Sequence, residues 1–303
     1  MSPASEGRGL AKVILLGEHA VVHGQPALAA ALDVGVRVRA VRAASPRLLV
    51  PAWDVDVGPD GGSELSTVFR AILAEAAPDV REVELTVDPE VPSRAGLGSS
   101  AALAVAMVRA LATLAGERPD ADEIEARASR AEAIFHGRAS GIDAAVACRG
   151  GVLRFVRGER PAAVACRPLP AVVAQVEPRT STSEMVARVA RALEAEPRRV
   201  GAVFEEIGGL VDEAVRRVEV DDLDSLGDLM DRNQGLLRDL GVSTPALDRA
   251  CARAREAGAV GAKLTGAGGG GCMIALAPCC EDAVAGVLAP MSLWVRRARL
   301  GEG

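Results

Sequence analysis

The sequence predicts an α+β protein built from two layered domains, and three observations carry that prediction. The chain has 303 residues, long for one hydrophobic core and suited to one large or two medium domains. Strand and helix signals are mixed in the first half and helix-rich between strands in the second, without the regular alternation of a parallel sheet. A proline-bounded segment, Pro161–Pro170, separates the halves, which places the domains at 1–165 and 166–303.

The elements follow in order. Lys12–Gly17 reads as a buried strand ended by glycine, Ala27–Leu32 as a short apolar segment, and Val34–Val41 as an alternating, half-solvated strand. Glu82–Val87 alternates the same way until Pro89 and Pro92 break it. Helical patterns cover Leu65–Glu75, Ala101–Ala115, Asp122–Ile134, Ser183–Ala195, Val200–Val218, Asp222–Leu240 and Pro245–Ala257. Thr182 or Ser183 is placed to cap the fourth of these, and Asp221 the sixth. Strands return at Gly151–Val156, Ala171–Val176, Cys272–Ala277 and Leu293–Ala298.

Composition narrows the function classes. A net charge of -6, with no basic cluster, argues against a nucleic-acid surface. The first twelve residues lack a signal pattern, and the apolar run from Ala101 meets Arg109, far short of a bilayer span. The expectation is a soluble, cytoplasmic protein. Six cysteines without C-x-x-C spacing read as free thiols. Among 35 basic residues the only lysines are Lys12 and Lys263. A lysine kept against so strong a preference for arginine suggests a site that needs a compact ammonium.

Four segments carry candidate chemistry. In Pro92–Ala102 (PSRAGLGSSAA), Gly96 and Gly98 clear the backbone of Cβ atoms, and Ser99 and Ser100 open a helix. The unpaired N–H groups and positive dipole end of that first turn suit a phosphate; a serine-capped turn solvated by water is the plain alternative. No Gly-Lys-Ser/Thr closes the loop, so it is not a Walker A motif. Lys263–Cys272 (KLTGAGGGGC) fits G-x-G-x-x-G, but a strand follows it where a dinucleotide fold needs a helix. It reads instead as a loop whose backbone closely approaches a ligand or another loop. In Glu132–Asp143 (EAIFHGRASGID), two carboxylates are available to divide metal binding and hydroxyl contact, or to remain solvated acids. In Lys12–Gly24 (KVILLGEHAVVHG), a lysine entering a buried strand needs a counter-ion, for which Asp143 is available, and Glu18 and His19 stand at the strand's exit.

Together these segments, with Asn233-Gln234-Gly235-Leu236-Leu237, resemble the GHMP kinase superfamily and within it the mevalonate kinases. The resemblance runs from about residue 8 to 277 in the same order. It implies an S5-like N-terminal domain and a ferredoxin-like C-terminal domain with the active site between them. It also implies ATP- and Mg²⁺-dependent phosphorylation of the C5 hydroxyl of mevalonate, in a homodimer. By motif position, Gly96, Leu97, Gly98, Ser99, Ser100 and Ala101 would wrap the phosphates, with Thr265 or Gly266 near the donor. Ser100 and Glu132 would hold Mg²⁺. Asp143 would accept the hydroxyl proton or orient the nucleophile, and Lys12 would pair with Asp143 and stabilise the transferring phosphoryl group. Glu18 and His19 would line the mevalonate pocket, joined by Thr182, or by Ser181 if Pro178-Arg179 sets the register. Ala139 stands where the family usually has proline. Other GHMP small-molecule kinases, galactokinases among them, and a nucleotide-binding sensor without turnover are the rival readings.

Overall fold

A computed structural model describes residues 4–76, 82–136 and 141–302, with the side chains of Glu132, Ile134, Phe135 and His136 outside the described set. Ala139 lies outside it as well. The chain divides into two compact units: 1–11, 34–93 and 98–150 form unit 1, and 12–33, 94–97 and 151–303 form unit 2. Among the described residues no helix is long and apolar enough to cross a membrane.

Unit 1 draws on β1 (Ser5–Leu16), β2 (Ala27–Arg42), β3 (Arg47–Val50), β4 (Val55–Val57), α1 (Glu64–Ala76), β5 (Val83–Pro89), α2 (Ser99–Leu114), α3 (Ala121–His136) and α4 (Ile142–Arg149). Its strands run in the order β4-β3-β5-β2, and β1 pairs with β2. The β3–β5 pair is parallel and the β2–β5 pair antiparallel. Phe69, Ile72, Leu85, Met107 and Leu111 anchor the core between sheet and helices. Helix α2 is buried from Ala101 to Val108 without a polar stripe, and its alanines let neighbours approach closely. The closest is β1: a Cβ on Gly9 would stand 2.0 Å from the Ala102 carbonyl oxygen, and one on Gly7 2.0 Å from that of Ala106. Glycine is a weak strand former, so the first seven residues of β1 carried no strand signal. The strand begins at Ser5 rather than Lys12 because this contact requires those glycines. The segments 27–32 and 34–41 likewise join into one strand, and β3, β4 and α4 are elements the sequence did not announce.

Unit 2 holds the first part of β2 against β6 (Val152–Phe155), which pairs with β7 (Ala162–Val164). There follow β8 (Leu169–Glu177), α5 (Thr182–Ala195), α6 (Pro197–Glu219), α7 (Leu223–Asp239), α8 (Pro245–Glu256), β9 (Gly261–Thr265), β10 (Gly271–Leu276), α9 (Glu281–Leu288) and β11 (Trp294–Leu300). Four strands make an antiparallel sheet in the order β11-β8-β10-β9. Val172, Met185, Phe204, Leu237, Leu247, Leu264 and Met273 fill the layer between this sheet and its helices. Two caps differ from expectation by one residue. Ser181 Oγ accepts from the Glu184 N–H at the start of α5, and Asp222 Oδ1 from the Ser225 N–H at the start of α7. Asp221 instead takes a left-handed φ of 60°, which removes it from the capping position. The mixed α+β class stands as expected; β7, inside the proline-bounded segment, and β9 and α9 are additions.

Gly9→Ala is expected to destabilise by about 1–3 kcal/mol, because the rigid carbonyl of Ala102 cannot yield. Gly209→Ala, in α6 with nothing within 4 Å of its Cβ position, is expected to stabilise by about 1 kcal/mol. Urea titration of both variants checks the contrast; similar behaviour of the two would contradict the packing at β1.

Candidate active site

The glycine-rich segment forms the hairpin loop between β9 and β10, closed by the Thr265–Cys272 pair. Five of its residues need the left-handed region: Gly266, Gly268, Gly269, Gly270 and Gly271 have φ of 90°, 73°, 65°, 98° and 85°. The loop is wedged in place. Gly269 N–H donates to the Val242 carbonyl at 2.8 Å, while the N–H and Oγ1 of Thr180 donate to the Gly269 carbonyl at 2.8 and 2.9 Å. A Cβ on Gly268 would lie 2.2 Å from the Val242 oxygen, and one on Gly270 2.3 Å from the Pro178 oxygen. Gly266 faces the Gly96 carbonyl, with 3.5 Å between its Cβ position and that oxygen.

Residue 96 is reached from β1 as well. The Lys12 backbone N–H donates to the Leu97 carbonyl at 2.9 Å, and its buried ammonium lies 3.5 Å from the Gly96 oxygen. Thr265 ties β1 to the glycine-rich loop. Its Oγ1 accepts from the Ile14 N–H at 2.8 Å and donates to the Ile14 carbonyl at 3.1 Å. Arg179, which the sequence did not single out, passes 3.9 Å from the Cβ position of Gly96 and donates to Thr182 Oγ1 at 2.9 Å. With Ser181 used as a cap, Thr182 is the hydroxyl that Arg179 orients.

Ser99, Ser100, Ala101, Glu132 and Asp143 belong to unit 1. Gly98, at φ 69°, is the N-cap of α2 and has no side chain to offer as a cap, and Ser99, Ser100 and Ala101 form the first turn of the helix. Ser100 is exposed. Asp143 is half-buried in the first turn of α4, behind Gly141 at φ 87°. Glu132 belongs to α3, but its side chain is outside the described residues.

Behind the β1 exit lies a buried charge cluster. Lys263 is 0 % exposed and Glu18 1 %. The Lys263 ammonium donates to Glu18 Oε1 and, at 2.6 Å, to the Leu264 carbonyl; Asn233 Nδ2 donates to Glu18 Oε2 at 3.0 Å. Both carboxylate oxygens of Glu18 therefore already have protein donors. Burial pushes the Lys263 ammonium below its ordinary value, Glu18 opposes this, and Lys12 adds to the lowering. The neighbouring Gln234 accepts from the Leu264 N–H at 2.9 Å and donates to Ser243 and Asp248 at 3.0 and 2.9 Å. The rarity of lysine was the signal that led to Lys263; nothing in the sequence pointed to its partners.

His19 has φ 60° and Nε2 2.9 Å from the Ala267 carbonyl. A carbonyl only accepts, so Nε2 carries the proton. Burial pushes the imidazole below its ordinary value, against the opposing pull of Ala267 and Glu18. At neutral pH Nδ1 is therefore an acceptor, matched to a hydroxyl rather than to a carboxylate.

Comparison with known proteins places these features. The profile of the GHMP kinases N terminal domain matches residues 65–151, and that of the GHMP kinases C terminal domain residues 210–283. The chain is 40 % identical to the mevalonate kinase of Pyrococcus abyssi over 294 residues, covering 88 % of this chain and 87 % of that protein. It is 37 % identical to the mevalonate kinase of Methanothermobacter thermautotrophicus, covering 90 % of each. The structure of L. major mevalonate kinase with R-mevalonate superposes with a TM-score of 0.86 at 28 % identity, covering 98 % of both chains.

Two outcomes are expected. The folded-state pKa of His19 lies below its ordinary 6.5, so under acid conditions the unfolded chain binds the extra proton first. Stability from this group is complete above that pH and is lost as the pH falls through it. His19→Gln should make the loss of stability between about pH 7.5 and about pH 5.5 shallower in denaturant titrations; an unchanged slope counts against a buried neutral imidazole. Under native maleimide labelling, exposed Cys279 should react first. Cys251 and Cys272, whose thiols burial pushes up to about 12, should react only on unfolding.

Proposed function

The chain belongs to the GHMP kinases, in the mevalonate kinase family, and on that footing we propose that it transfers the γ-phosphoryl group of ATP to the C5 hydroxyl of mevalonate, giving 5-phosphomevalonate and ADP. One arrangement supports this reading most. The backbone at Gly96-Leu97 is held by Lys12 on one side and faced by the glycine-rich loop on the other, with the Lys12 ammonium beside it. The proposed division at residue 165 also keeps the two matched family domains on separate sides.

In this proposal the N–H groups of Gly96, Leu97, Gly98, Ser99, Ser100 and Ala101 bind the phosphates, with Gly266 beside them. The first turn of α2 opens on Gly98, which brings no capping side chain to it. Lys12 stabilises negative charge on the transferring group. Arg179 and Thr182 supply a cation and a hydroxyl for an anionic substrate, and the Nδ1 of His19 accepts from a substrate hydroxyl. Asp143 orients the C5 hydroxyl and takes its proton as the O–P bond forms and ADP leaves. Glu18 serves the acceptor side from behind His19.

The hydroxyl of Ser100 and the carboxylate of Glu132 are hard oxygen donors of the class that Mg²⁺ takes, few enough to leave places for phosphate and water. When bound, Mg²⁺ neutralises charge on the β- and γ-phosphates. Ser100 and Glu132 would hold it there.

A coupled ADP-release assay with mevalonate, galactose, homoserine and phosphomevalonate tests the assignment. Turnover with mevalonate alone is expected; preference for another alcohol, or ATP binding without turnover, overturns it. Asp143→Asn should lower kcat by about 100-fold or more while changing the KM for mevalonate little. Equal losses in both would make Asp143 a binding residue. Ser100→Ala should raise the Mg²⁺ concentration needed for half-maximal rate, and an unchanged requirement would remove Ser100 from the metal site.

A further inference from the structure

The Asn233-Gln234 pair and Lys263 have no part in the chemistry above, yet they surround the most deeply buried charges described in the chain. We propose that Lys263, acting through Glu18, is a positioning residue that holds His19 and the acceptor side of the site in register with the glycine-rich loop. This rests on the mevalonate kinase reading and concerns how its acceptor pocket is built.

The argument begins with what the pair does not do. A buried ion pair is often no better for stability than apolar groups of the same size. Stability alone therefore gives no reason to keep Lys263 fully buried in a strand. Nor is it a generic cation in a chain that uses arginine almost everywhere else. Two acceptors, Glu18 Oε1 and the Leu264 carbonyl, meet its ammonium inside the closed interior. A guanidinium there would bring five donors to those two acceptors. The site is shaped for lysine.

The network's connections show what it holds. β9 and the glycine-rich loop are tied to β1 and its exit at three points. Thr265 clasps both backbone groups of Ile14, Lys263 binds Glu18, and the Ala267 carbonyl accepts from His19. Glu18 directly precedes His19, whose φ of 60° is unfavourable for a residue with a Cβ and needs outside support to persist. Asn233 grips the second oxygen of Glu18, and its own Oδ1 is buried without a partner among the described residues. Its amide is thus oriented by Glu18 at the expense of its own hydrogen bonding. Gln234, next in α7, pins the Leu264 backbone beside Lys263. Loss of the Lys263–Glu18 tie leaves the His19–Ala267 hydrogen bond to hold this turn against the loop without its neighbour.

The test is steady-state kinetics of Lys263→Met, Lys263→Arg, Glu18→Gln and the Lys263→Met/Glu18→Gln double variant, with thermal unfolding of each. Lys263→Met is expected to lower kcat/KM for mevalonate by about 100-fold, mainly through KM, as misplacement by about 1 Å does. The KM for ATP should stay near the wild-type value, and Lys263→Arg should not rescue. The double variant, with no lone buried charge, should regain thermal stability but not the mevalonate KM. If the double variant recovers both, the pair is merely structural and the proposal fails. It fails equally if folded Lys263→Met binds mevalonate like the wild type. Should the wild type phosphorylate a different alcohol, only the substrate assignment falls, and the same KM split is read with that alcohol. A wild type without turnover on any acceptor overturns both.

Discussion

Backbone meeting backbone without intervening side chains is the constraint on which the rest of this structure depends. In unit 1, β1 lies against α2 only because Gly7 and Gly9 have no Cβ to strike the helix carbonyls. In unit 2, the loop after β9 fits between residues 178–180 and Val242 only through a run of left-handed glycines. A chain folded this way pays heavily in backbone entropy, and the outcome is a rigid surface of N–H and C=O groups. Rigid backbone dipoles are what a phosphoryl-transfer site uses to stabilise charge without reorganising.

Onto this backbone the protein adds very few charges, each held differently. Arg179 stands partly exposed at the Gly96 side, bonded to Thr182. Lys12 lies buried near a carbonyl, and Lys263 is buried deeper still against Glu18. The two lysines affect each other electrostatically, since Lys12 contributes to the lowering at Lys263. Glu18, the carboxylate at the middle of this cluster, tempers the repulsion. The neutral His19 adjoins it in the chain and gains no charge from it.

The long periodic elements were legible in the sequence because burial of one face dictates them. Helices α5–α8 fall within a few residues of their expected spans, and the strands around Val34, Ala171 and Cys272 lie where alternation or apolar runs placed them. Illegible elements share a cause. The start of β1 is glycine-rich, α4 is short and opens on glycine, and the caps at Ser181 and Asp222 compete with neighbours of equal capping ability. Local propensity decides none of these; contacts across the fold do.

By itself the sequence determined the α+β class, the order of the four motifs, the glycines at the mouth of α2 and the isolation of two lysines. These are local properties, written in composition, spacing and periodicity. Only the tertiary structure decided that Lys263 answers Glu18, that Thr265 clasps Ile14 and that Arg179 lies along Gly96. The partners are separated by 245 and 251 residues in the first two cases. No local pattern encodes which of many acids or carbonyls will meet a given side chain. That choice is made when the sheet of unit 2 closes and leaves a buried polar group only the few partners within its reach.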